Sequence, residues 1–262
     1  MTTLPSVLVT GASSGIGATY ADRFARRGHN LVLVARDKVR LDTLAADLSD
    51  RHGISVETIR ADLTLPGEMA VVEKRLREDA QIGVLVNNAG AALNGAFIDQ
   101  TPDDVERLVM LNATAVTRLA NAAAPRMAQA GNGAIINIGS VVGLAPEFGS
   151  TVYGATKAFV LFFSQSLNLE LASKGVYVQA VLPAGTRTEI WERSGFDANS
   201  VPPLMGVGEL VDAALVGFDR HEAVTIPVLP DASQWDAFQG ARQAIMPSFL
   251  QANVADRYRT AS

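Results

Sequence analysis

Apolar and polar positions alternate along the chain in two different periods. Short and almost wholly apolar runs, such as "SVLVT" at residues 6–10 and "NLVLVAR" at residues 30–36, predict buried strands. Longer stretches with apolar residues every three to four positions predict amphipathic helices. The predicted strands are 6–10, 30–36, 54–63, 82–90, 133–140, 176–185 and 223–229. The predicted helices are about 15–27, 37–53, 67–79, 102–130, 153–174 and 209–220.

The regular alternation of these elements predicts the fold class. Strands that alternate with helices form a mostly parallel sheet, which the helices cover on both faces. We see no internal repeat and no low-complexity linker, so we expect a single domain over residues 1–262. The C-terminal segment, about residues 229–262, predicts a helix with Trp235 and Phe238 and a break at Pro247. That segment could cap a pocket, reach a neighbouring subunit or simply pack.

Composition narrows the classes of function. The chain has 262 residues, 48% hydrophobic and 19% charged, with a formal net charge of -5. The Lys and Arg residues are scattered along the chain, so the sequence shows no basic cluster of the kind that binds nucleic acid. The absence of cysteine excludes thiolate chemistry and disulfides. The three histidines lie far apart in sequence, so we expect no metal site. We read neither a secretory signal nor an apolar run long enough to span a membrane, and we expect a cytoplasmic protein.

A glycine-rich turn follows the first predicted strand and opens the first predicted helix. Its sequence is "TGASSGIG", residues 10–17. Glycines at this place let the backbone approach a pyrophosphate, which then lies at the positive end of the helix. The spacing is GxxxGxG, so a strict GxGxxG fingerprint fails, and a turn without a ligand is the alternative. The predicted cofactor contacts in this turn are Gly11, Ser13, Ser14, Gly15, Ile16 and Gly17.

The end of the second strand bears on the choice of dinucleotide. An acidic residue there would bind the ribose 2′-hydroxyl of NAD(H), but Arg36 takes this place and Asp37 follows it. A guanidinium can pair with a 2′-phosphate and stack on adenine. The sequence therefore favours NADP(H), while NAD(H) stays possible because of Asp37.

An ordered set of motifs carries a family resemblance. "TGASSGIG", "NNAG" at residues 87–90, Asn112, Ser140 and "YGATK" at residues 153–157 resemble the short-chain dehydrogenase/reductase family, in its single-domain branch of about 250 residues. The resemblance runs from the first strand to about Thr188. It implies a doubly wound Rossmann-type fold of about seven strands and a nicotinamide cofactor.

The resemblance also implies roles for individual residues. Asn112, Ser140, Tyr153 and Lys157 would form the catalytic group, in which Lys157 also holds the nicotinamide ribose and Asn112 anchors a water that passes protons to Lys157. The further implied cofactor contacts are Asp62, Leu63, Asn88, Ala89, Gly90, Tyr153, Lys157, Pro183, Gly185, Thr186 and Thr188. Ala184 stands where a glycine is expected in the turn after the sixth strand, which puts the course of that turn in doubt.

The spacing of Tyr153 and Lys157 suggests proton transfer. Residues four apart share one face of a helix. A phenol titrates near 10 and needs a downward pKa shift of roughly 3 units to act as a base near neutrality, or about 4 kcal/mol. An ammonium about 4 Å away would supply about 4 kcal/mol at an effective dielectric near 20. Ser140, at the end of the fifth strand, could hydrogen-bond the substrate oxygen.

The substrate class is less sharply predicted. A substrate loop at about residues 188–208 and apolar residues after the fourth and fifth strands suggest an apolar pocket. These residues are Leu93, Phe97, Val141, Val142, Leu144, Phe148, Ile190, Trp191, Phe196, Leu204 and Met205. An apolar ketone, or its secondary alcohol, is the leading substrate. A charged substrate stays open, because Arg187, Glu189, Glu192 and Arg193 also lie in this loop. A 3-oxoacyl thioester and a nucleotide-sensing protein without turnover are the further alternatives. In similar proteins the long helices pair subunits, so we expect a dimer or tetramer.

Overall fold

The computed structural model describes residues 4–190 and 204–259 of the chain. Seven strands and eight α-helices occur in these residues. The strands are β1 Ser6–Thr10, β2 Leu31–Ala35, β3 Val56–Arg60, β4 Ile82–Asn87, β5 Gly133–Ile138, β6 Val176–Val181 and β7 Val224–Thr225. The helices are α1 Gly15–Arg26, α2 Lys38–His52, α3 Pro66–Glu78, α4 Pro102–Val109, α5 Ala115–Ala130, α6 Thr151–Leu171, α7 Val207–Asp219 and α8 Ala232–Ala244.

The seven strands form one sheet in which every neighbouring pair is parallel. Their order is β3-β2-β1-β4-β5-β6-β7, so the direction of strand succession reverses between β1 and β4. This order confirms the predicted doubly wound, Rossmann-type fold. Because all strands point the same way, their carboxyl ends lie along one edge, where ligands of open α/β sheets bind.

Side chains at alternate positions of the strands pack into two separate apolar cores, one on each face of the sheet. Val7 and Val9 of β1 pack with Phe24 of α1 and Leu210 of α7 on one face. Leu8, which lies between them in sequence, belongs to the core on the other face. That second core also contains Met69 of α3 and Leu119 of α5. The near-continuous apolar strands of the sequence are thus explained by burial on both faces.

The sequence predicted one helix over residues 102–130, and the structure divides it. A wider π-helical turn, Met110–Thr114, separates α4 from α5. The seventh strand is also shorter than predicted, since only Val224 and Thr225 pair with β6. Pro227, which has no N–H to donate, follows closely and limits the strand. No helix among residues 4–190 and 204–259 has both the length and the apolar character needed to cross a membrane.

The chain divides into two compact units, Met1–Pro227 and Val228–Ser262. The first holds the sheet. In the described part of the second unit, α8 is followed by 3-10 turns at Met246–Leu250 and Asp256–Tyr258. The rings of Trp235 and Phe238 stack in α8 with 5.4 Å between centroids. The helix and the break at Pro247 match the sequence prediction, and the single-domain assignment stays a prediction.

Candidate active site

The glycine-rich turn between β1 and α1 lies against the turn that follows β4. Asn88 Nδ2 donates to the carbonyl oxygens of Thr10 at 2.9 Å and of Gly11 at 3.2 Å. Gly11 has a φ of 64°, in the left-handed region that favours glycine. A Cβ on Gly17 would collide with the carbonyl oxygen of Gly11 and lie 2.5 Å from Asn88 Nδ2. The course of the backbone therefore requires glycine at both places.

The first turn of α1 offers backbone N–H groups to a ligand. Ser14 precedes the helix in an extended conformation, and its side chain makes no capping hydrogen bond within the described residues. No acidic side chain occupies this turn. Open amides at a positive helix end suit a pyrophosphate. The cradle formed by Ser13, Ser14, Gly15 and Ile16 thus fits the diphosphate of a nicotinamide dinucleotide.

The residues predicted to meet the adenosine part lie at the ends of β2 and β3. The side chain of Arg36 is 62% exposed, and its Nη1 lies 4.0 Å from Asp62 Oδ2. Asp37 caps α2 by accepting a hydrogen bond from the Arg40 N–H at 3.0 Å. Leu63 is buried in the core that contains Leu8, so its side chain packs inside the protein. A sequence pattern cannot distinguish a capping Asp37 from one that binds ribose.

Ser140 is buried at the carboxyl end of β5. Its Oγ donates to the carbonyl oxygen of Pro183 at 3.3 Å and accepts from the Val142 N–H at 3.2 Å. Tyr153 lies close enough for the Ser140 side chain to act on the pKa of its phenol. The structure therefore places these two predicted catalytic groups near each other.

Tyr153 and Lys157 lie together on α6, but the pKa of Tyr153 is shifted in the direction opposite to the expectation. Burial raises the pKa of Tyr153, and the nearby Ser140 side chain opposes this rise. Burial also lowers the pKa of Lys157 to about 8. Lys157 Nζ donates to the carbonyl oxygen of Ile138 at 2.9 Å and lies 5.6 Å from the centre of the Tyr153 ring. Removal from water disfavours both charged forms, and here it outweighs the attraction that we expected to lower the phenol pKa.

Asn112 explains the wide turn between α4 and α5. Its Oδ1 accepts from the Ala91 N–H and its Nδ2 donates to the Ala91 carbonyl oxygen, each at 2.9 Å. Nδ2 also donates to Thr156 Oγ1 at 3.1 Å. The side chain ties the turn after β4 to α6, and the water-holding role of Asn112 stays a prediction. Gly90 allows this close approach, since a Cβ there would lie 3.3 Å from Asn112 Oδ1.

Thr156 is a site residue that sequence reasoning missed. It is buried, accepts from Asn112 and donates to the carbonyl oxygen of Tyr153 at 2.7 Å. Its hydroxyl therefore connects Asn112 to the backbone of the helix that presents Tyr153. The sequence feature that could have identified Thr156 is its position three residues after Tyr153, which places both residues on one face of a helix.

The turn after β6 crosses towards the glycine-rich turn. Thr186 forms a parallel bridge with Met205, whose N–H donates to the carbonyl oxygen of Gly185 at 3.0 Å. The Thr188 methyl group lies 3.4 Å from the place that a Cβ on Gly15 would take. Despite the alanine at position 184, the turn thus carries Thr188 to the start of α1.

Apolar side chains near the carboxyl ends of β4 and β5 are only partly covered. Leu93 and Val142 are half-buried, while Phe97 and Phe148 are exposed. These side chains leave apolar surface after β4 and β5, and the predicted apolar pocket stays a prediction. Trp191 and Phe196 of the predicted substrate loop lie outside the described residues.

Comparisons with known proteins agree with this geometry. The family model of short chain dehydrogenases matches residues 5–198. A very-long-chain 3-oxoacyl-CoA reductase of Anas platyrhynchos is 37% identical over 94% of this chain and 77% of its own length. The same enzyme of Bos taurus is 38% identical over 70% of this chain, and the match spans only 60% of that relative.

Two solved structures are more similar. A short-chain dehydrogenase from Sphingobium yanoikuyae in complex with NADPH is 68% identical, with a TM-score of 0.97 over 98% of this chain and 100% of that one. A bulky-bulky ketone specific alcohol dehydrogenase from Comamonas testosteroni is 59% identical, with a TM-score of 0.93 over 99% and 100% of the two chains. The resemblance stated from the motifs is confirmed, and the chain belongs to the short-chain dehydrogenase family of oxidoreductases.

Proposed function

We propose that the chain is an NADP(H)-dependent oxidoreductase that interconverts a ketone and a secondary alcohol, with Tyr153 as general acid and base. The observation that carries this proposal is the approach of α6 to the carboxyl end of β5, where Lys157 Nζ donates to the carbonyl oxygen of Ile138 and Tyr153 lies near Ser140. A buried Lys157 and a glycine-rich turn suited to a diphosphate lie at the same edge of the sheet. Hydride transfer to a carbonyl needs this combination of an acid, an oxygen ligand and a dinucleotide site.

The roles of the side chains follow from their protonation. When bound, the cofactor supplies or accepts the hydride. Ser140 orients the substrate oxygen with its hydroxyl group. Tyr153, whose pKa burial raises further above neutrality, is protonated at neutral pH and donates its proton to the oxygen as the carbonyl carbon receives hydride. Alcohol oxidation reverses this step: the phenolate form of Tyr153 takes the proton from the alcohol oxygen, and the cationic form of Lys157 stabilises that phenolate.

Arg36 supports the choice of NADP(H), because it is exposed at the end of β2 while Asp37 is engaged as a helix cap. We expect Arg36→Leu to weaken NADPH binding about tenfold to a hundredfold, as for the loss of a charge-assisted hydrogen bond, and to leave NADH binding nearly unchanged. Fluorescence titration with both cofactors measures the effect. Arg26→Leu, which removes an exposed arginine from the last turn of α1, is the control. An unchanged NADPH to NADH ratio in Arg36→Leu would contradict the assignment.

A ketone with large groups on both sides is the substrate that we favour. The Comamonas testosteroni relative is described as specific for such ketones and is 59% identical to this chain. The partly covered apolar residues after β4 and β5 are compatible with two large substituents. We expect kcat/KM with NADPH to be highest for ketones that carry two large groups and to fall for methyl ketones of the same polarity. A preference for the smaller ketones would reject this substrate class.

A 3-oxoacyl thioester is a second candidate, because the relatives from Anas platyrhynchos and Bos taurus are 3-oxoacyl-CoA reductases. The same kinetic panel decides between the two if it contains a long-chain 3-oxoacyl-CoA and the matching simple ketone. A kcat/KM for the thioester well above that for the ketone would favour the second candidate.

The proposal includes a homo-oligomer, with a tetramer expected, and a cytoplasmic location. Phe159, Phe162 and Leu169 are exposed on α6 at three- and seven-residue spacing. A large exposed apolar patch of this kind marks a protein interface. Light scattering tests the assembly and cell fractionation tests the location.

A further inference from the structure

The ion pair between Arg40 and Glu189 joins segments from the two halves of the sheet. Arg40 lies in the first turn of α2, which connects β2 to β3, and Glu189 lies after β6. Arg40 Nη1 donates to both carboxylate oxygens of Glu189, each at 2.9 Å. The strand order places β2 and β6 on opposite sides of the reversal between β1 and β4. The pair therefore spans the crevice in which open α/β sheets bind their ligands.

The segment that ends at Glu189, residues 185–189, is here called the strap. One end of the strap is held by the bridge between Thr186 and Met205. Next to its other end, the Thr188 methyl group lies against Gly15 at the start of α1. The bond from Arg40 to Glu189 fastens the strap immediately after this contact. The strap thus passes the start of α1, whose amides fit a pyrophosphate. The strap is held on both sides of that helix start.

Arg40 is also held in place by its own helix. Its backbone N–H donates to Asp37 Oδ1 at 3.0 Å, and its Nε lies 3.5 Å from Asp37 Oδ2. The side chains of Arg40 and Glu189 are 49% and 39% exposed. An ion pair this exposed adds little to folding stability. Its effect should appear instead in a process that needs the strap to move.

We infer that Arg40 and Glu189 are positioning residues that hold the strap against the start of α1 and thereby slow the release of the dinucleotide. This inference rests on the proposed use of NADP(H). Since the strap contacts the start of α1, the pair should slow the release of NADPH and NADH by the same factor. Arg36 differs, because its predicted contact is with the 2′-phosphate, which NADH lacks.

Stopped-flow measurement of cofactor release tests the pair. We expect Arg40→Gln and Glu189→Gln each to raise the dissociation rates of NADPH and of NADH by about threefold to fivefold, the factor that an exposed ion pair is worth. Hydride transfer in a single turnover with saturating cofactor should change less than twofold. Arg51→Gln, which at the other end of α2 breaks the ion pairs with Asp47 and with Asp22, is the matched control and should leave both rates unchanged.

Charge reversal completes the test. Arg40→Glu or Glu189→Arg alone should speed release more than the neutral variants, and the double variant should return both rates towards the wild-type values. Release that is faster only for NADPH and only in Arg40→Gln would make Arg40 a ligand of the 2′-phosphate and overturn the inference. Rates equal to those of Arg51→Gln would also overturn it. A wild-type protein that binds neither cofactor would overturn the proposed function, and the inference with it.

Discussion

Replacing Tyr153 by Phe should reduce kcat by about 10²- to 10⁴-fold, the contribution of a positioned general acid. The phenol lies near Ser140 and, with its pKa raised by burial, carries its proton at neutral pH. Binding of NADPH should change little, because the glycine-rich turn and Arg36 are untouched. Steady-state kinetics with a ketone and fluorescence titration with NADPH measure the two quantities separately. Retention of more than a few per cent of the activity would reject Tyr153 as the proton donor.

Tyr177→Phe is the matched control for this substitution. The Tyr177 hydroxyl donates to the carbonyl oxygen of Glu222 at 2.6 Å, and Tyr177 lies in β6 without a proposed role in the reaction. We expect this variant to lose about 1 kcal/mol of unfolding free energy, the net value of a hydrogen bond. Its kcat should stay close to that of the wild type.

Gly17→Ala should have the second large effect, on cofactor binding and on stability. The added methyl group would collide with the Gly11 carbonyl oxygen and lie 2.5 Å from Asn88 Nδ2. The start of α1 would have to move away from the turn after β4. We expect the free energy of unfolding to fall by about 1–3 kcal/mol, as for overpacked sites, and NADPH to give no measurable binding. Urea denaturation and NADPH titration are the measurements.

Gly67→Ala separates this effect from helix propensity. Gly67 lies in the first turn of α3, and a Cβ there would meet nothing within 4 Å. Alanine should be neutral or stabilising by up to about 1 kcal/mol at such a place. NADPH binding by Gly67→Ala should equal that of the wild type. If Gly17→Ala also bound NADPH normally, the close approach at the glycine-rich turn would not matter for the cofactor.

The fold was predictable because its determinants are local. Each strand is a short apolar run, and each connecting helix has apolar residues every three to four positions. The parallel order then follows from alternation. The motifs around Gly11 and Tyr153 could be placed at the carboxyl edge of the sheet for the same reason.

The remaining features depend on contacts that are distant in sequence. The π-helical turn forms where Asn112 binds Ala91 and Thr156, which lie 21 and 44 residues away. The rise in the pKa of Tyr153 depends on burial, which spacing from Lys157 does not reveal. Arg40 looked like an ordinary helix residue until the structure placed it beside Glu189, 149 residues further along.

The most direct test of the central claim is a single turnover with NADPH deuterated at the transferable position of C4. With a ketone that carries two large groups, the wild-type protein should form the secondary alcohol with deuterium on the carbinol carbon and a hydroxyl proton from solvent. Tyr153→Phe should bind the same cofactor and form almost no labelled alcohol. Binding of NADPH by the wild type without transfer of deuterium to any ketone or 3-oxoacyl thioester would contradict the proposed function and indicate a nucleotide-binding protein without turnover.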